Sequence, residues 1–431
     1  MELLDLPPEV FQRIMQKYVA KAGLCDAWKH REVCKTFNVY ITVEIFKHQP
    51  MKVYSSRRNR GLFRKGLTVF LEYRLEHLYG AHDLLPSAVR MAVAKIIEIT
   101  QETSVKERIE LNKEVIAAVV KFWKNVHVAA IKPSKCTETG CSKDTDDARL
   151  LCLVVGMGRL DLTRSVLKHC TDPWSEAYCL GSPVDVAVRA RDLAAVELLL
   201  TDTRSHKRTK SSIFSRTIDR VFHAQKDESK VDFLEKLLSL YCTFLGRPRT
   251  EYCIRWLGYA HHRGAISISR KILDMGFNSA LAAEYRPCLF EWWGEKPDRI
   301  TMKLFVERKV FDMAKTYTFR STRSDSLPVM NDESVLYYAV RLGDADLVQL
   351  ALRSGADANG AINSSGIREY PIRQAITNSN CEAKILELLL AYNADLIGVD
   401  PFFGKHNLEK CHIESTKRKL LEEAIKRTDN N

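Results

Sequence analysis

Few residues in this chain are spaced to do covalent or metal chemistry. His261 and His262 are adjacent, and neighbours on a helix face different sides, so they cannot converge on one ligand. His77 and His82, on an expected helix end, are too loosely related to make a metal site. Cys136 and Cys141 sit in a loop-like stretch with four residues between them. With His169 and Cys170 they could assemble a zinc site, but structural zinc favours shorter paired spacings, and free thiols plus a loop is the better account. Gly156-Met157-Gly158 follows an apolar run and imitates a dinucleotide-binding turn, yet Asp161 stands where the third glycine belongs. No GxxxxGK[ST], HExxH or GxSxG occurs. Trp292-Trp293 could anchor a partner, although packing in a core suits the pair better. No nucleophile, base and acid come together, so the expectation is a non-enzymatic chain with no cofactor and no bound metal.

Composition bounds the remaining classes. The 431 residues are 45% hydrophobic and 28% charged, the balance of a folded chain with a sizeable core. No stretch approaches the length of apolar sequence that spans a bilayer. The acidic, proline-broken start Met1-Glu2-Leu3-Leu4-Asp5-Leu6-Pro7 lacks the order of a signal peptide, so a cytoplasmic or nuclear location is expected. The 12 cysteines are scattered and without a CxxC pair, so most are expected to be reduced. Net charge is +12. Lys52, Arg57, Arg58, Arg60, Arg64 and Lys65 form one basic run; Arg204, His206, Lys207, Arg208 and Lys210 form another; Lys417-Arg418-Lys419 is a third. Such runs attract nucleic acid or direct nuclear import, but more often are solvated surface. No zinc finger, RNA-binding or basic-zipper pattern accompanies them, which argues against direct nucleic-acid binding.

The stronger signal is repetition. Leu347-Val348-Gln349-Leu350-Ala351-Leu352-Arg353-Ser354-Gly355-Ala356-Asp357 superposes on Ile385-Leu386-Glu387-Leu388-Leu389-Leu390-Ala391-Tyr392-Asn393-Ala394-Asp395 at every apolar position. Asn393 stands for Gly355, the exchange expected where a helix exit needs a left-handed residue. Gly276 fills the same slot after Ile272-Leu273-Asp274-Met275. A second short helix is expected upstream of each, around Ala339–Asp344 and Ala260–Gly264, and twelve residues separate Gly343 from Gly355 and Gly264 from Gly276. A short helix, a glycine turn, a Leu-rich helix and a capped exit resemble the ankyrin repeat. Ser182-Pro183-Val184-Asp185-Val186-Ala187 matches that family's Thr-Pro-Leu-His-x-Ala opening, and Val154 lies 33 residues before Ala187, the ankyrin period. Val231–Leu240 and Ile300–Val310 keep helical spacing without the consensus and are expected to be degenerate copies. The insertion Gly360–Glu369 is expected on the binding face.

The first residues differ. Leu6-Pro7-Pro8-Glu9-Val10 opens a helix in which Leu6, Val10 and Ile14 share a face, followed by Trp28, Arg31, Val33-Cys34-Lys35 and Phe37. This resembles an F-box, which implies docking to a Skp-type adaptor through Leu6, Pro7, Val33 and Cys34. The gap between those anchors is longer than usual, and polar Lys17 stands where an apolar residue is expected. The alternative is a helical cap that shields the first repeat. Exposure of these anchors would favour docking, and burial against residues 84–130 would favour the cap. Ser104-Val105-Lys106-Glu107 reads as a capping box within a helical linker.

The expected fold is therefore all-α: a helical head (1–50), a basic segment and linker (51–131), a divergent ankyrin solenoid (148–400) and a helical tail (401–431). The resemblance is to ankyrin proteins of the filamentous-fungal type, some of which resemble transcription co-regulators linked to secondary metabolism. It implies a regulatory scaffold that holds other proteins on a concave face. Repeat phase nominates Arg189, Arg191, His261, His262, Arg263, Arg341, Asp344 and Asp346 as contacts. The other reading is a substrate adaptor of an SCF ubiquitin ligase.

Overall fold

The computed structural model describes residues 6–101, 104–131, 146–223, 231–276, 299–321, 329–363, 366–396 and 414–429. These are mostly helical. No helix among them is long and apolar enough to cross a membrane. The chain divides into two compact units, Met1–Thr217 and Ile218–Asn431.

The first unit opens with α1 (Pro8–Ala22), α2 (Leu24–His30) and α3 (Lys35–Val43), which pack on one another. α4 (Arg57–Lys65), α5 (Leu67–Arg74), α6 (Leu84–Thr100), α7 (Val105–Phe122) and α8 (Val126–Ile131) follow. Then come the pairs α9 (Asp146–Met157) with α10 (Leu160–His169), and α11 (Pro183–Ala190) with α12 (Leu193–Thr201). Within this unit α7, α9 and α11 stack as one layer and α6, α10 and α12 as a second. The helix α13 (Lys207–His223) spans the division between the units.

The head and the basic segment, expected as separate pieces, share a core. Arg74 is fully buried at the end of α5. Its guanidinium donates to the carbonyls of Phe46 (3.1 Å), Gln49 (2.8 Å), Leu78 (2.6 Å) and Tyr79 (2.5 Å). Four satisfied carbonyls offset the desolvation of the charge, which nonetheless pulls its pKa below the ordinary arginine value. The Tyr54 hydroxyl donates to the carbonyl of Ile45. A side chain at Gly66 would meet the Phe46 ring, its Cβ only 1.9 Å from Cζ.

The second unit holds α14 (Val231–Leu245), α15 (Thr250–His262), α16 (Ile266–Asp274), α17 (Arg299–Glu307), α18 (Val335–Leu342), α19 (Ala345–Arg353), α20 (Pro371–Thr377), α21 (Ala383–Ala391) and α22 (Ser415–Asp429). Here α14, α16, α17, α19, α21 and α22 pack each on the next as one layer, while α18 and α20 pair in another. Of the segments expected to be degenerate copies, Val231–Leu240 lies within α14, and Ile300–Val310 covers most of α17 and the residues after it. The all-α expectation needs one amendment: β1 (Thr316–Ser321) and β2 (Val329–Ser334) form an antiparallel hairpin, with Thr316 opposite Ser334 and Ser321 opposite Val329.

One turn recurs in both units. The amide of Asp192 bonds the carbonyl of Ala187 at 3.0 Å, Ala265 that of Ala260 at 2.9 Å, and Asp344 that of Ala339 at 3.3 Å. This six-residue closure is the Schellman form, and it needs a left-handed residue just before its last position. Gly264 (φ 63°) and Gly343 (φ 68°) supply it; Arg191 does so at φ 61°. The exits of the second helices repeat the device. The Ala356 amide bonds the Ala351 carbonyl at 3.1 Å, and the Ala394 amide bonds the Leu389 carbonyl at 3.0 Å. Gly355 and Asn393 are both left-handed, as the exchange between the copies implies. First helices open alike, too. Ser182 forms a capping box with Asp185, Ser334 accepts from the amide of Tyr337, and Pro183 and Pro371 stand in the first turn.

Candidate functional site

Side chains nominated from repeat phase are mostly structural. Arg189 reaches back to the Phe122 carbonyl (3.0 Å) and the Leu180 carbonyl (2.6 Å), its guanidinium over the Phe122 ring. It ties α11 to the end of α7 rather than to a partner. Arg191 is exposed, but its backbone fills the turn slot that glycine holds elsewhere. Arg341 is half-buried, paired to Glu333 at 3.0 Å and lying over Tyr338. Asp344 caps α19, accepting from the Leu347 amide at 3.0 Å, and meets Lys303 at 3.4 Å. Asp346 also meets Lys303, at 3.2 Å, from an exposed position. His261 is buried near the end of α15, while Arg263, just past it, is exposed. His262 belongs to α15, and its side chain lies outside the described residues. Of the nominated residues, Arg189, Arg341 and Asp344 are engaged within the chain, His261 is buried, and Arg189, Arg191, Arg263 and Asp346 are exposed. Asp344 is taken up by an otherwise unpaired amide of its own helix start, Arg189 by carbonyls of other segments and Arg341 by a carboxylate.

The finger between α19 and α20 offers surface that the phase argument missed. Ile362 and Arg368 form an isolated bridge across it. Ile362 (57%) and Ile367 (64%) are exposed there, within the insertion singled out from its length. A shorter bridge, Ala177 to Gly181, stands in the same place before α11.

The head presents a different kind of surface. Proline at the first turn and Glu9 start α1, with the Val10 and Phe11 amides on the Pro7 carbonyl at 3.0 Å. The buried stripe of α1 is Phe11, Met15 and Val19, one residue on from the expected Leu6, Val10 and Ile14. Phe11 packs edge-on against Phe37 and Tyr40. Two apolar stripes therefore lie side by side, and the outer one is uncovered: Val10 is 45% exposed, Pro7 is exposed, and Leu6 and Ile14 are half-buried. Val33 (68%) and Val39 (58%) are exposed as well. Cys34 is half-buried and caps α3, its sulfur accepting from the Phe37 amide at 3.5 Å. The face of the first helix pair is covered instead by α7 on α9 and α6 on α10.

Sequence reasoning also missed a buried carboxylate. Asp219 accepts from the Trp256 indole (2.6 Å) and pairs with Arg255 (3.1 Å), while the Tyr259 hydroxyl lies 2.6 Å from His223 Nε2. Burial raises the Asp219 pKa against the opposing pull of Arg255 and of the indole bond. No spacing rule marks such a cluster, because its members come from two helices of unrelated phase.

Some of the groups weighed for metal or nucleotide chemistry lie within the described residues. His169 and Cys170 line a cavity of about 250 Å³ with Asp147 and Lys95. Burial, then Asp147, pushes the Cys170 thiol up to about 11, away from the thiolate that a nucleophile or ligand needs. Gly156 lies within α9, where a Cβ would come 2.8 Å from the Phe122 ring, so close helix packing accounts for it. Cys136, Cys141 and Trp292-Trp293 lie outside the described residues. Cys179 is disulfide-bonded, and seven other described cysteines are free. No family model, no curated protein and no solved structure matches this chain.

Proposed function

We propose that the protein is a non-enzymatic scaffold of the ankyrin type, holding partner proteins on surfaces outside its repeated framework. The observation that carries this reading is the recurrence of one construction: a capped first helix, a left-handed turn, and a second helix that packs on its counterpart in the next pair. A chain built this way uses several polar helix-end residues internally and leaves Ile362 and Ile367 of its loop exposed. The regulatory role, including transcriptional co-regulation of the fungal type, follows from the resemblance. Its test is affinity capture from native cells with wild type and an Ile362→Asp/Ile367→Asp variant. Transcription or chromatin proteins that are lost with the variant support the reading; a capture unchanged by it counts against the array as the binding site.

A second reading, an SCF substrate adaptor, is favoured by a specific observation. The cap of the first pair is formed by α6 and α7, so the head is not needed for that purpose, and its outer stripe is uncovered. Purified Skp-type adaptor should then bind wild type and fail to bind a Val10→Asp/Val33→Asp variant. Absence of binding by wild type would remove this reading and leave the scaffold reading intact.

A further inference from the structure

The three basic runs, alike in sequence, have different fates in the structure. In the second, His206, Lys207 and Arg208 are exposed, but Arg204 is held by Asp202 and by the carbonyls of Cys170 and Leu167, and Lys210 is buried and donates to the Leu200 carbonyl. In the third, Lys417 is buried and donates to the Asn378 carbonyl, Arg418 is half-buried, and Lys419 alone is exposed. In the first, Lys52, Arg57, Arg58, Arg60, Arg64 and Lys65 are all exposed. Arg58 pairs with Asp26 at 2.8 Å and Arg64 meets His127 at 2.8 Å; Arg57, Arg60 and Lys65 have no ion pair among the described residues. On α4, at about 100° per residue, the five basic side chains fall within an arc of about 160°. Leu62 and Phe63 are buried on the other side.

Gly61 sits near the middle of the basic arc. A Cβ there would meet nothing within 4 Å, and its backbone is not left-handed, so neither crowding nor geometry requires glycine. A helix former would be favoured at that position on propensity alone. What glycine does provide is a bare strip of helix backbone between guanidinium groups, open to close approach.

We propose that this face of α4 binds the phosphate backbone of a nucleic-acid duplex. Four of the five charges are arginine, whose planar fork suits phosphate oxygens. From Arg57 to Lys65 the helix advances about 12 Å, a length over which duplex DNA presents about seven phosphates. The arc carries no aromatic side chain to stack on bases, so binding is indifferent to sequence. This goes against the expectation drawn from the absence of a DNA-binding motif, and it is independent of the ankyrin reading. His127 supplies a local reporter. Burial lowers its pKa, and the charges of Arg64 and Arg60 lower it further, so a phosphate that neutralises them raises it.

The test measures anisotropy of a short labelled DNA duplex with the full chain across a salt series. Wild type is compared with Arg57→Glu/Arg60→Glu/Lys65→Glu and with a control of equal charge change, Lys113→Glu/Arg164→Glu/Lys168→Glu. The α4 variant should bind at least about tenfold more weakly, with a log–log salt slope shallower by about 2.7. The control should match wild type. Gly61→Gln, which changes no charge, should weaken binding severalfold while the melting temperature holds or rises. No binding by wild type at low salt overturns the proposal, as does equal loss in the control. Equal affinity for poly-glutamate overturns it in favour of an acidic protein partner.

Discussion

The helix pairs and the head use their conspicuous residues in opposite ways. In the pairs, several charged side chains that stand out in the sequence are tied to other groups of the chain. Arg189 clamps two carbonyls, Asp344 caps a helix, and Arg341 pairs with Glu333. In the head and the helix beside it, apolar Val10 and Val33 and basic Arg57 and Arg60 are left at the surface. Side chains that cap helices or tie segments together are poor candidates for binding. Surface unexplained by construction is the better guide.

The largest loss of stability is expected at Arg74, the one buried guanidinium among the described residues of the core that the first helices share. An Arg74→Leu variant leaves four buried carbonyls without a donor and should lose at least about 3 kcal/mol, read as a lower urea midpoint. Next comes Gly343→Ala, whose Cβ would lie 2.5 Å from the Asn380 carbonyl oxygen in a left-handed turn. A loss of about 2–3 kcal/mol is expected there by the same measurement.

Smaller substitutions sharpen the distinction between building and binding. Asp344→Ala should cost about 1 kcal/mol through the lost cap, whereas its exposed neighbour Asp346→Ala should cost under about 0.5 kcal/mol. Equal costs would dissolve the distinction. Arg191→Gly should leave stability unchanged or raise it by up to about 1 kcal/mol, since glycine suits the turn that arginine now fills.

A pH titration gives the smallest signal. The folded pKa of Asp219 lies above the ordinary 3.8, so its contribution to stability is complete below that value and lost as pH rises through the folded pKa. Asp219→Asn should flatten that part of the stability profile, and the fluorescence of Trp256, whose indole donates to Asp219, should stop following pH there.

Much of the framework was legible because its rules are local. Gly355 and Asn393 marked a left-handed exit, Ser182 and Pro183 marked a helix start, and both are found as expected. The outer stripe of α1 was legible as an apolar face, but its neighbour Phe11, Met15 and Val19 took the core, because two stripes a single residue apart cannot be ranked by periodicity. The hairpin of β1 and β2 went unread inside a helical period. Roles of Arg189 and Arg204 were hidden because their acceptor carbonyls lie far away in sequence: Phe122 for the first, Leu167 and Cys170 for the second. Exposure of Ile362 and Ile367 followed only in outline, from the length of the insertion around them.

The most direct test of the central claim is a three-way affinity capture: wild type, Ile362→Asp/Ile367→Asp in the finger, and Arg189→Gln/Arg341→Gln in the framework, each first shown to be folded. The account predicts that the finger variant loses protein partners which the framework variant still retains. Loss confined to the framework variant would contradict it and return the binding role to the residues nominated by repeat phase.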